Sequence, residues 1–591
     1  MVKTLLKSVR EYKKHSLITP IFMVLEVVCE CLIPLMMSKM LATNASGVVP
    51  MAQILKYGGF MILLACFSIV CGILGGTFAA KASCGFAKNL RKDLFYSVQD
   101  FSFKDVDKFS TSSLVTRLTT DVTNVQNSYQ MCLRIVIRVP LTFIFAVVMS
   151  MSINWKLATV FVLIVPFLAT ALFTLMRKVM PFFRRIFKKY DALNNSVQEN
   201  VGGIRVVKSF VREEYEKEKF NKAAGEVRND FTRAEKMLAL NSPIMMLAMY
   251  LSSMFITFIG AKLIISTGTW TGSGIVGPLV PSELSAVITY GVQMLSSMMM
   301  FSMIAVMLTM SLESAKRIAE VLEQKSDLVS PENGKTEVKD GSISFQNVSF
   351  KYSENAKKYA LSDIDLEIAS GETVGILGGT GSSKTSLIQL IPRLYDVTEG
   401  EVLVGGVNVK DYDLDVLRQE VSVVLQKNVL FSGTVKENLR WGNPNATDEE
   451  LVRACKLAQA DEFVSSFPDG YDTHIEQGGT NVSGGQKQRL CIARAILRKP
   501  KILIFDDSTS AVDTKTDALI RKALAEEIPE TTKIIIAQRV ASVEHADKIL
   551  VMDGGKIVES GNHETLIKAG GIYAEIYEMQ TKQKSEKGGN D

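Results

Sequence analysis

The sequence has 591 residues, of which 47% are hydrophobic, and a formal net charge of +5 at pH 7. A chain of this length is too long to fold around one hydrophobic core, and its hydrophobic share is high for a soluble protein of that size. The charge is nearly balanced and contains no basic block, which argues against a nucleic-acid-binding protein. The eight cysteines have neither CxxC nor Cys/His metal spacing, so we expect small buried hydrophobes rather than disulfides or metal ligands.

The first half of the chain predicts an all-α transmembrane domain over residues 1–322. Residues 1–14 are basic and amphipathic and lack the apolar core of a signal peptide, so we expect one interfacial helix there. Six apolar segments follow, each close to the roughly 20 residues that cross a bilayer. They are residues 17–37, 57–80, 136–153, 157–176, 243–265 and 284–310.

Charge placement favours membrane spans over the buried helices of a soluble core, and it orients them. The connections over residues 81–127 and 177–236 are long and rich in Lys and Arg, and we expect them to extend the spans as helices. In contrast, one tight turn has only Lys156 beside it, and residues 266–282 carry no charge. Because basic connections stay on the cytoplasmic side, both termini are predicted to be cytoplasmic. This predicts a multi-pass protein of a plasma membrane or a bacterial inner membrane.

Two pairs of charged residues fall within the predicted spans. Glu26 and Glu30 share one face of the first span, and Arg134 and Arg138 share one face at the start of the third. Charged groups at bilayer depth face protein or a water-filled cavity, which makes the glutamates candidate cavity residues with a cation-binding role. The alternative pairs the glutamates with basic groups of neighbouring helices and places the arginines at the inner interface.

The sixth span is rich in methionine. This flexible, polarisable side chain suits a cavity that accepts varied apolar ligands, and it equally fills ordinary helix contacts. The methionines are Met294, Met298, Met299, Met300, Met303, Met307 and Met310.

The second half of the chain changes to short strands alternating with helices, which is typical of an α/β domain with a largely parallel sheet. Residues 323–341 are polar, contain Pro331 and Gly334, and are predicted to be the domain linker. The α/β domain is predicted over residues 342–580, followed by a polar tail over residues 581–591.

A glycine-rich loop lies between a predicted strand, residues 372–377, and a predicted helix. Glycines let backbone amides close around an oxyanion, a lysine reaches the outer phosphates, and a threonine hydroxyl suits a magnesium ion. Where such loops usually have glycine before the lysine, this chain has Ser383, which strains the loop if that position needs positive φ. The loop comprises Gly378, Gly379, Thr380, Gly381, Ser382, Ser383, Lys384 and Thr385.

Three further residues fit a nucleotide site around this loop. Tyr352 precedes the loop at a distance from which its ring can stack on a base, with an ordinary core or surface aromatic as the alternative. Residues 501–506 predict an apolar strand that ends in a carboxylate. Asp506 is therefore a candidate to hold magnesium through water, and Asp507 to orient the attacking water.

Ser483, Gly484, Gly485 and Gln486 open a predicted helix that runs through Ile496. A serine hydroxyl, free amides and a helix N-terminus make a second anion site in the same domain. One domain rarely needs two phosphate-binding sites, so we expect two such domains to meet head to tail. An ordinary glycine-rich helix start is the alternative.

In this order, the motifs resemble a half-transporter of the ATP-binding cassette (ABC) exporter family, over nearly the whole chain. The resemblance implies a multi-domain fold, an all-α six-helix transmembrane domain followed by an α/β P-loop nucleotide-binding domain. It also implies ATP and Mg²⁺ as cofactors, with Thr385, Gln426 and Asp506 at the metal. It places a D-loop over residues 510–513 (SAVD), which ends at Asp513, and coupling segments near residues 108–113 and 209–216. It assigns nucleotide binding to Tyr352, Gly378, Gly379, Thr380, Gly381, Ser382, Ser383, Lys384, Thr385, Ser386 and Gln426, and contact with a partner's ATP to Ser483, Gly484, Gly485 and Gln486.

Three residues depart from the family pattern. Asp507 stands where the family has a catalytic glutamate, and Gln538 stands where it has the switch histidine; Ser383 is the third. Aspartate is one methylene shorter than glutamate, and a misplacement of about 1 Å costs roughly a hundredfold in rate. Glutamine can hydrogen-bond a γ-phosphate but cannot become an imidazolium. Asp507 and Gln538 are therefore predicted as the catalytic positions of a slow ATPase site.

These departures, beside a nearly intact family signature at residues 482–486, predict a heterodimer with a second half-transporter subunit. We expect ATP-driven export of hydrophobic or amphipathic substrates by alternating access, with no nucleic-acid partner. A homodimeric exporter with a tolerant site remains an alternative, as does an ATP-gated channel or regulatory subunit. The sequence leaves the substrate open among lipids, peptides and amphipathic drugs.

Overall fold

Two structural units make up the chain. The computed structural model describes residues 1–42, 49–271, 274–276, 279–354, 356–507 and 512–587. One unit comprises Met1–Gln99 and Thr111–Gln324, and the other comprises Asp100–Ser110 and Lys325–Asp591. The helices up to the end of the first unit are α1 (Val2–Leu6), α2 (Lys13–Met40), α3 (Met51–Gln99), α4 (Phe103–Phe109), α5 (Thr111–Thr116), α6 (Val122–Met131), α7 (Ile137–Ile153), α8 (Trp155–Gly202), α9 (Ile204–Ser209), α10 (Glu213–Leu238), α11 (Asn241–Thr267) and α12 (Pro281–Glu323).

Helices long and apolar enough to cross a membrane number six in the described part of the chain, which confirms the predicted number of spans. Several run far beyond a bilayer. Helix α8 has 48 residues, or about 72 Å at 1.5 Å per residue, whereas the hydrocarbon core is about 30 Å thick. Helix α8 is thus longer than a bilayer crossing requires. The six are Val2–Met40, Met51–Gln99, Thr111–Ile153, Trp155–Phe183, Glu213–Thr267 and Pro281–Phe301.

Two details of this unit differ from expectation. Residues 1–14 form α1 and a separate turn of 3-10 helix, broken where Arg10 has a φ of 39°. The break lets the Arg10 guanidinium donate to Asp93 at 2.7 Å. Cys66 and Cys84 are exposed rather than buried, because α3 buries only one side of its length against the described protein.

A hydrophobic cluster joins α2, α7, α8, α11 and α12. Its fully buried members include Val27, Leu157 and Tyr290, and the Tyr290 hydroxyl donates to the Cys31 carbonyl at 2.6 Å. That bond satisfies the one polar atom that Tyr290 brings into the apolar interior. After α11, strands β1 (Thr269–Thr271) and β2 (Gly274–Val276) form an antiparallel hairpin.

The described part of the second unit contains three sheets, of six, four and two strands, alternating with helices as expected for an α/β domain. Its helices are α13 (Lys384–Leu390), α14 (Leu414–Glu420), α15 (Val435–Arg440), α16 (Asp448–Leu457), α17 (Asp461–Ser465), α18 (Gly484–Ile496), α19 (Thr514–Glu527), α20 (His563–Ala569) and α21 (Ile572–Lys587). Its strands are β3 (Ile343–Phe350), β4 (Leu361–Ile368), β5 (Thr373–Gly378), β6 (Glu399–Val404), β7 (Val407–Asn408), β8 (Val421–Val424), β9 (Gly433–Thr434), β10 (His474–Ile475), β11 (Ile502–Asp506), β12 (Thr532–Ile536), β13 (Lys548–Asp553) and β14 (Lys556–Gly561).

The larger sheet has the order β14-β13-β5-β12-β11-β8, and all its pairs are parallel except β13 with β14. A smaller antiparallel sheet has the order β4-β3-β6-β7. Strand β11 is buried on both faces: Ile502 and Ile504 pack in one hydrophobic cluster, and Leu503 and Phe505 in another. Alternate residues of a strand face opposite sides, so the continuous apolar run is that of a central parallel strand.

Candidate nucleotide site

Four neighbouring parallel strands end at the same edge of the larger sheet. Ile536 at the end of β12 lies opposite Ile376 of β5 and Asp506 of β11, and Val424 at the end of β8 lies opposite Phe505. The carboxyl edge of an open parallel sheet is where such domains bind ligands. The segments that leave this edge carry the phosphate loop, Gln426, Asp507 and Gln538, so the sheet itself brings the predicted residues together.

Lys384 is held inside the phosphate loop. Its ammonium donates to the carbonyls of Gly378 at 2.9 Å and Gly379 at 2.8 Å, and to the Ser382 hydroxyl at 3.2 Å. Burial lowers the pKa of Lys384, and the neighbouring carboxylates of Asp507 and Asp506 oppose that shift. The ammonium therefore has ready acceptors within the loop, and a phosphate oxygen in the cradle would replace them.

The backbone of the loop explains its glycines and shows the cost of a serine at position 383. Gly378 has a φ of 153°, and an added Cβ would clash with the Met552 carbonyl oxygen. Gly379 and Gly381 face open space, with no described atom within 4 Å of an added Cβ. Ser383 has φ 71° and ψ 23°, in the left-handed region. This position needs positive φ, so the expected strain is present, at about 1–2 kcal/mol for a residue other than glycine.

Thr385 and Asp506 form a contiguous pair of oxygen ligands. The Thr385 hydroxyl is 3.0 and 3.1 Å from the two carboxylate oxygens of Asp506. Burial raises the pKa of Asp506, as does the nearby Asp507, while the Thr385 hydrogen bond and Lys384 act to lower it. A buried carboxylate at the end of a strand, beside a threonine hydroxyl, is a pair that a divalent cation would stabilise.

Asp507 and Gln538, two of the departures from the family pattern, contact each other. The Gln538 side-chain amide donates to Asp507 Oδ2 at 2.8 Å, and that of Gln426 lies 3.5 Å from the same oxygen. Asp507 itself has a φ of 47°, and its backbone amide donates to the Ile536 carbonyl at 3.1 Å. One oxygen of the Asp507 carboxylate therefore accepts a hydrogen bond from a neutral amide. Unlike an imidazole, that amide cannot accept a proton.

Tyr352 lies beside the start of α13. Its hydroxyl shares a 2.7 Å hydrogen bond with Ser386, and its ring meets those of Phe350 and Tyr395 edge-on, at 4.8 and 5.2 Å between centroids. The side chain is partly packed and 43% exposed, which fits both base stacking and the role of an ordinary surface aromatic. Ser386 positions the ring.

The signature residues cap α18. The Ser483 hydroxyl accepts from the Gln486 amide at 3.3 Å, and the Gln486 side chain accepts from the Ser483 amide at 2.9 Å. Such a capping box satisfies two helix N-terminal donors. Gly484 follows Ser483 on the surface, and α18 ends at Ile496 as predicted.

Asp513 caps α19. Its carboxylate accepts from the Thr516 amide at 2.9 Å, and backbone hydrogen bonding, first of all from Thr516, lowers the pKa of Asp513. Ser510, at the start of the predicted D-loop, lies outside the described residues.

The donor set fits a magnesium triphosphate. The Thr385 hydroxyl, the Asp506 carboxylate and the Gln426 amide offer hard oxygen ligands, and Mg²⁺ is usually held by one or two carboxylates together with substrate phosphates. Among the described residues no group of three His, Cys, Asp or Glu side chains can hold a metal, which argues against an all-protein cage. The open space at Gly379 and Gly381 leaves room for phosphate oxygens beside backbone amides.

Comparison with known proteins identifies the family. Residues 16–279 match the profile of the ABC transporter transmembrane region, and residues 361–510 match that of the ABC transporter. The ABC transporter ATP-binding protein YfiB of Bacillus subtilis (strain 168) is 36% identical over 582 residues, which cover 97% of this chain and 98% of the relative. The chain belongs to the ABC transporter family. It is a multi-pass membrane protein that binds ATP, with an ATPase domain coupled to transport.

Two further comparisons define the type of ABC transporter. The fold matches a solved bacterial Atm1-family ABC exporter with ATP bound, with a TM-score of 0.82 and 23% identity, over 96% of this chain and 98% of that one. The ATP-dependent lipid A-core flippase of Pseudomonas aeruginosa (strain PAO1) is 33% identical over 522 residues, 88% of this chain and 84% of the relative. The chain therefore has the fold of an ABC exporter half-transporter, with one transmembrane domain followed by one ATP-binding domain.

In the membrane part of this ABC transporter, Arg138 pairs with both predicted glutamates. Its guanidinium lies 3.1 Å from Glu26 Oε1 and 2.7 and 2.9 Å from the two oxygens of Glu30. The pairing alternative therefore describes the two glutamates, with Arg138 as their shared partner. The fork geometry of the guanidinium suits this bidentate contact.

A cavity of about 860 Å³ lies between α7, α8 and α12. Neither Glu26 nor Glu30 lines it. Of the methionines in α12, Met298 lines it, Met294 is buried in the cluster described above, and the side chain of Met310 lies outside the described part. The lining residues are Val139, Pro140, Phe143, Val165, Ala169, Leu172, Phe173, Met176, Arg177, Met180, Ser297, Met298, Phe301 and Thr309.

The two predicted coupling segments differ in their surroundings. The first overlaps α4, which belongs to the second unit. There Asp107 accepts from the Tyr395 hydroxyl at 3.0 Å, and the Tyr395 ring also meets that of Tyr352. Sequence analysis missed Tyr395, because nothing in its spacing signals a partner 288 residues away. The second segment is the turn between α9 and α10, where Phe210 and Val211 are 73% and 81% exposed.

Proposed function

We propose that this chain is the degenerate-site subunit of a heterodimeric ABC exporter. The observation that carries the proposal is the 2.8 Å hydrogen bond from Gln538 to Asp507. In the family, a glutamate and a histidine at these positions serve the attacking water and the γ-phosphate. Here a shorter carboxylate is held by an amide, so the site retains nucleotide-binding groups and lacks a proton-relaying pair.

The other side chains of the site support the proposal that it binds ATP but hydrolyses it slowly. Lys384, Thr385 and Asp506 keep the types and contacts that bind a magnesium nucleotide, and Gln426 completes the proposed metal ligands. Slow hydrolysis then follows from Asp507 and Gln538 alone. Nucleotide binding by Tyr352 and the loop from Gly378 to Ser386 is part of the same proposal.

The signature residues support a difference between the two ATP sites of the proposed dimer. Ser483 and Gln486 form an intact capping box that leaves the amides of Gly484 and Gly485 at the N-terminus of α18. We assign these residues to the partner subunit's ATP, with Asp513 in the adjoining D-loop. The partner would supply the intact glutamate and histidine, and closure of its site would drive the inward-facing form outward.

The exported molecule is proposed to be hydrophobic or amphipathic. The cavity between α7, α8 and α12 supports this, since its lining is almost wholly apolar and includes Met176, Met180 and Met298. The name of the Pseudomonas relative, a lipid A-core flippase, describes an amphipathic substrate for that protein. We propose that the second unit and both termini are cytoplasmic, because connections rich in Lys and Arg favour that side of a membrane.

The test is ATP hydrolysis by this chain purified alone in lipid nanodiscs, with Lys384→Ala as the control. Near-zero turnover together with retained ATP binding supports the degenerate site. Brisk turnover that Lys384→Ala abolishes refutes it, because Asp507 and Gln538 would then suffice, and the homodimeric exporter would be correct.

A second experiment uses the complex with its partner. Ser483→Ala or Gly485→Asp should abolish most ATP turnover, whereas Asp507→Asn should have a far smaller effect than loss of the partner's glutamate. Unchanged turnover in the signature variants would refute the shared-site arrangement. Concentrative uptake by vesicles separates an exporter from an ATP-gated channel.

A further inference from the structure

The cavity between α7, α8 and α12 has a chemically distinct end. Its lining is apolar except for Arg177, Ser297 and Thr309. Ser297 is 7% exposed and its hydroxyl already donates to the Gln293 carbonyl at 2.9 Å. Arg177 is the single charged residue among the described lining residues, so one cation faces an otherwise uncharged cavity.

The Arg177 guanidinium is available to a ligand. The ion pairs that involve α8 use Lys189 and Glu199, and within the described side chains none uses Arg177. The side chain is exposed. Arginine carries five N–H donors in a planar fork that matches carboxylate, sulfate and phosphate groups. A ligand oxyanion would thus meet unused donors beside an apolar wall.

We propose that this cavity binds an elongated amphiphile whose anionic head group pairs with Arg177. Along α8 the lining runs from Val165 to Met180, which is about 22 Å of helix. Arg177 lies near one end of that run, and Thr309 of α12 lines the same cavity. The apolar residues on the side of Val165 and Ala169 would hold the chain, and the cation would hold the head.

The same charge gives selectivity. A cationic amphiphile would place like charge against Arg177 with no described carboxylate in the lining to offset it, so the site discriminates against that class. A neutral amphiphile would gain the apolar contacts alone. The inference rests on the proposed export function, because it names the substrate class of that function.

The experiment measures binding by the full-length chain in nanodiscs, without nucleotide. The probe is 11-(dansylamino)undecanoic acid, displaced by dodecyl phosphate, dodecyl maltoside or dodecyltrimethylammonium. Arg177→Gln should weaken dodecyl phosphate binding about tenfold or more, as expected for loss of a charge-assisted hydrogen bond. Dodecyl maltoside binding should stay within about twofold. Arg177→Glu should reverse the preference in favour of dodecyltrimethylammonium.

The matched control is Lys178→Gln, which removes one positive charge from the adjacent exposed position outside the cavity lining. We expect no change in dodecyl phosphate affinity. Equal weakening by Lys178→Gln and Arg177→Gln would overturn the proposal, since the preference would then come from the general surface potential. Equal affinity of the unaltered chain for all three amphiphiles would also overturn it. Neither result depends on ATP hydrolysis, so failure here is distinguishable from failure of the proposed exporter.

Discussion

Replacement of Ser383 by glycine tests whether the phosphate loop is strained. Ser383 has a φ of 71°, a conformation that costs a non-glycine residue about 1–2 kcal/mol. Glycine removes that cost but adds about 0.4–1 kcal/mol of unfolded-chain freedom. Within the described loop the serine hydroxyl makes no helix-cap hydrogen bond, so its loss costs little. The net expectation is a stabilisation of about 0.5–1 kcal/mol.

The assay is scanning calorimetry of the nucleotide-free chain in detergent. For a domain of this size the gain corresponds to a rise in unfolding temperature of about 1–4 °C for Ser383→Gly. Ser383→Ala is the matched control, because it removes the hydroxyl and keeps the disfavoured φ, and we expect no rise. An equal rise in both variants would refute the reasoning, since the hydroxyl and not the backbone would then be responsible.

Three further changes follow from buried polar groups. Burial raises the pKa of Asp506 in the folded protein, so ionisation of Asp506 lowers the free energy of unfolding. This loss of stability grows as the pH rises from the pKa of Asp506 in the unfolded chain to its pKa in the folded protein. Asp506→Asn should therefore raise the calorimetric unfolding temperature at neutral pH, flatten its pH dependence, and remove the effect of Mg²⁺ on ATP affinity. Arg138→Met should cost about 1–3 kcal/mol by removing the partner of two partly buried carboxylates, and simultaneous neutralisation of both carboxylates should restore the yield of monodisperse protein in gel filtration. Tyr395→Phe should lose the bond to Asp107 and speed hydrogen exchange of the α4 amides, by up to about tenfold.

Local pattern was sufficient for the elements of the nucleotide site. The apolar run before Asp506, the glycines of the loop and the serine that opens α18 each have a local physical cause, and β11, α13 and α18 appear where those causes act. The fold class was predictable for the same reason. Apolar segments of bilayer length and alternating strands and helices are long, redundant signals.

Pairing between distant residues was not predictable in this way. Glu26 and Arg138 are 112 residues apart, and periodicity placed each on a helix face without saying which faces meet. Residues 1–14 show the same limit at short range. Their pattern fits one amphipathic helix, whereas the contact with Asp93 on α3 favours a break at Arg10. Tertiary contacts decide such details, and one sequence does not contain their geometry.

The contact between Asp507 and Gln538 changes the interpretation of their departures from the family pattern. As separate substitutions, a shorter acid and a non-basic amide would each weaken hydrolysis. Because the two side chains are neighbours, the Gln538 amide gives the partly enclosed Asp507 carboxylate a neutral hydrogen-bond donor. It adds no charge beside Lys384 and Asp506. The side chains proposed to bind the nucleotide are kept in the same site. Under the proposed heterodimer, this combination favours a site that holds its nucleotide for longer than the partner subunit's site does.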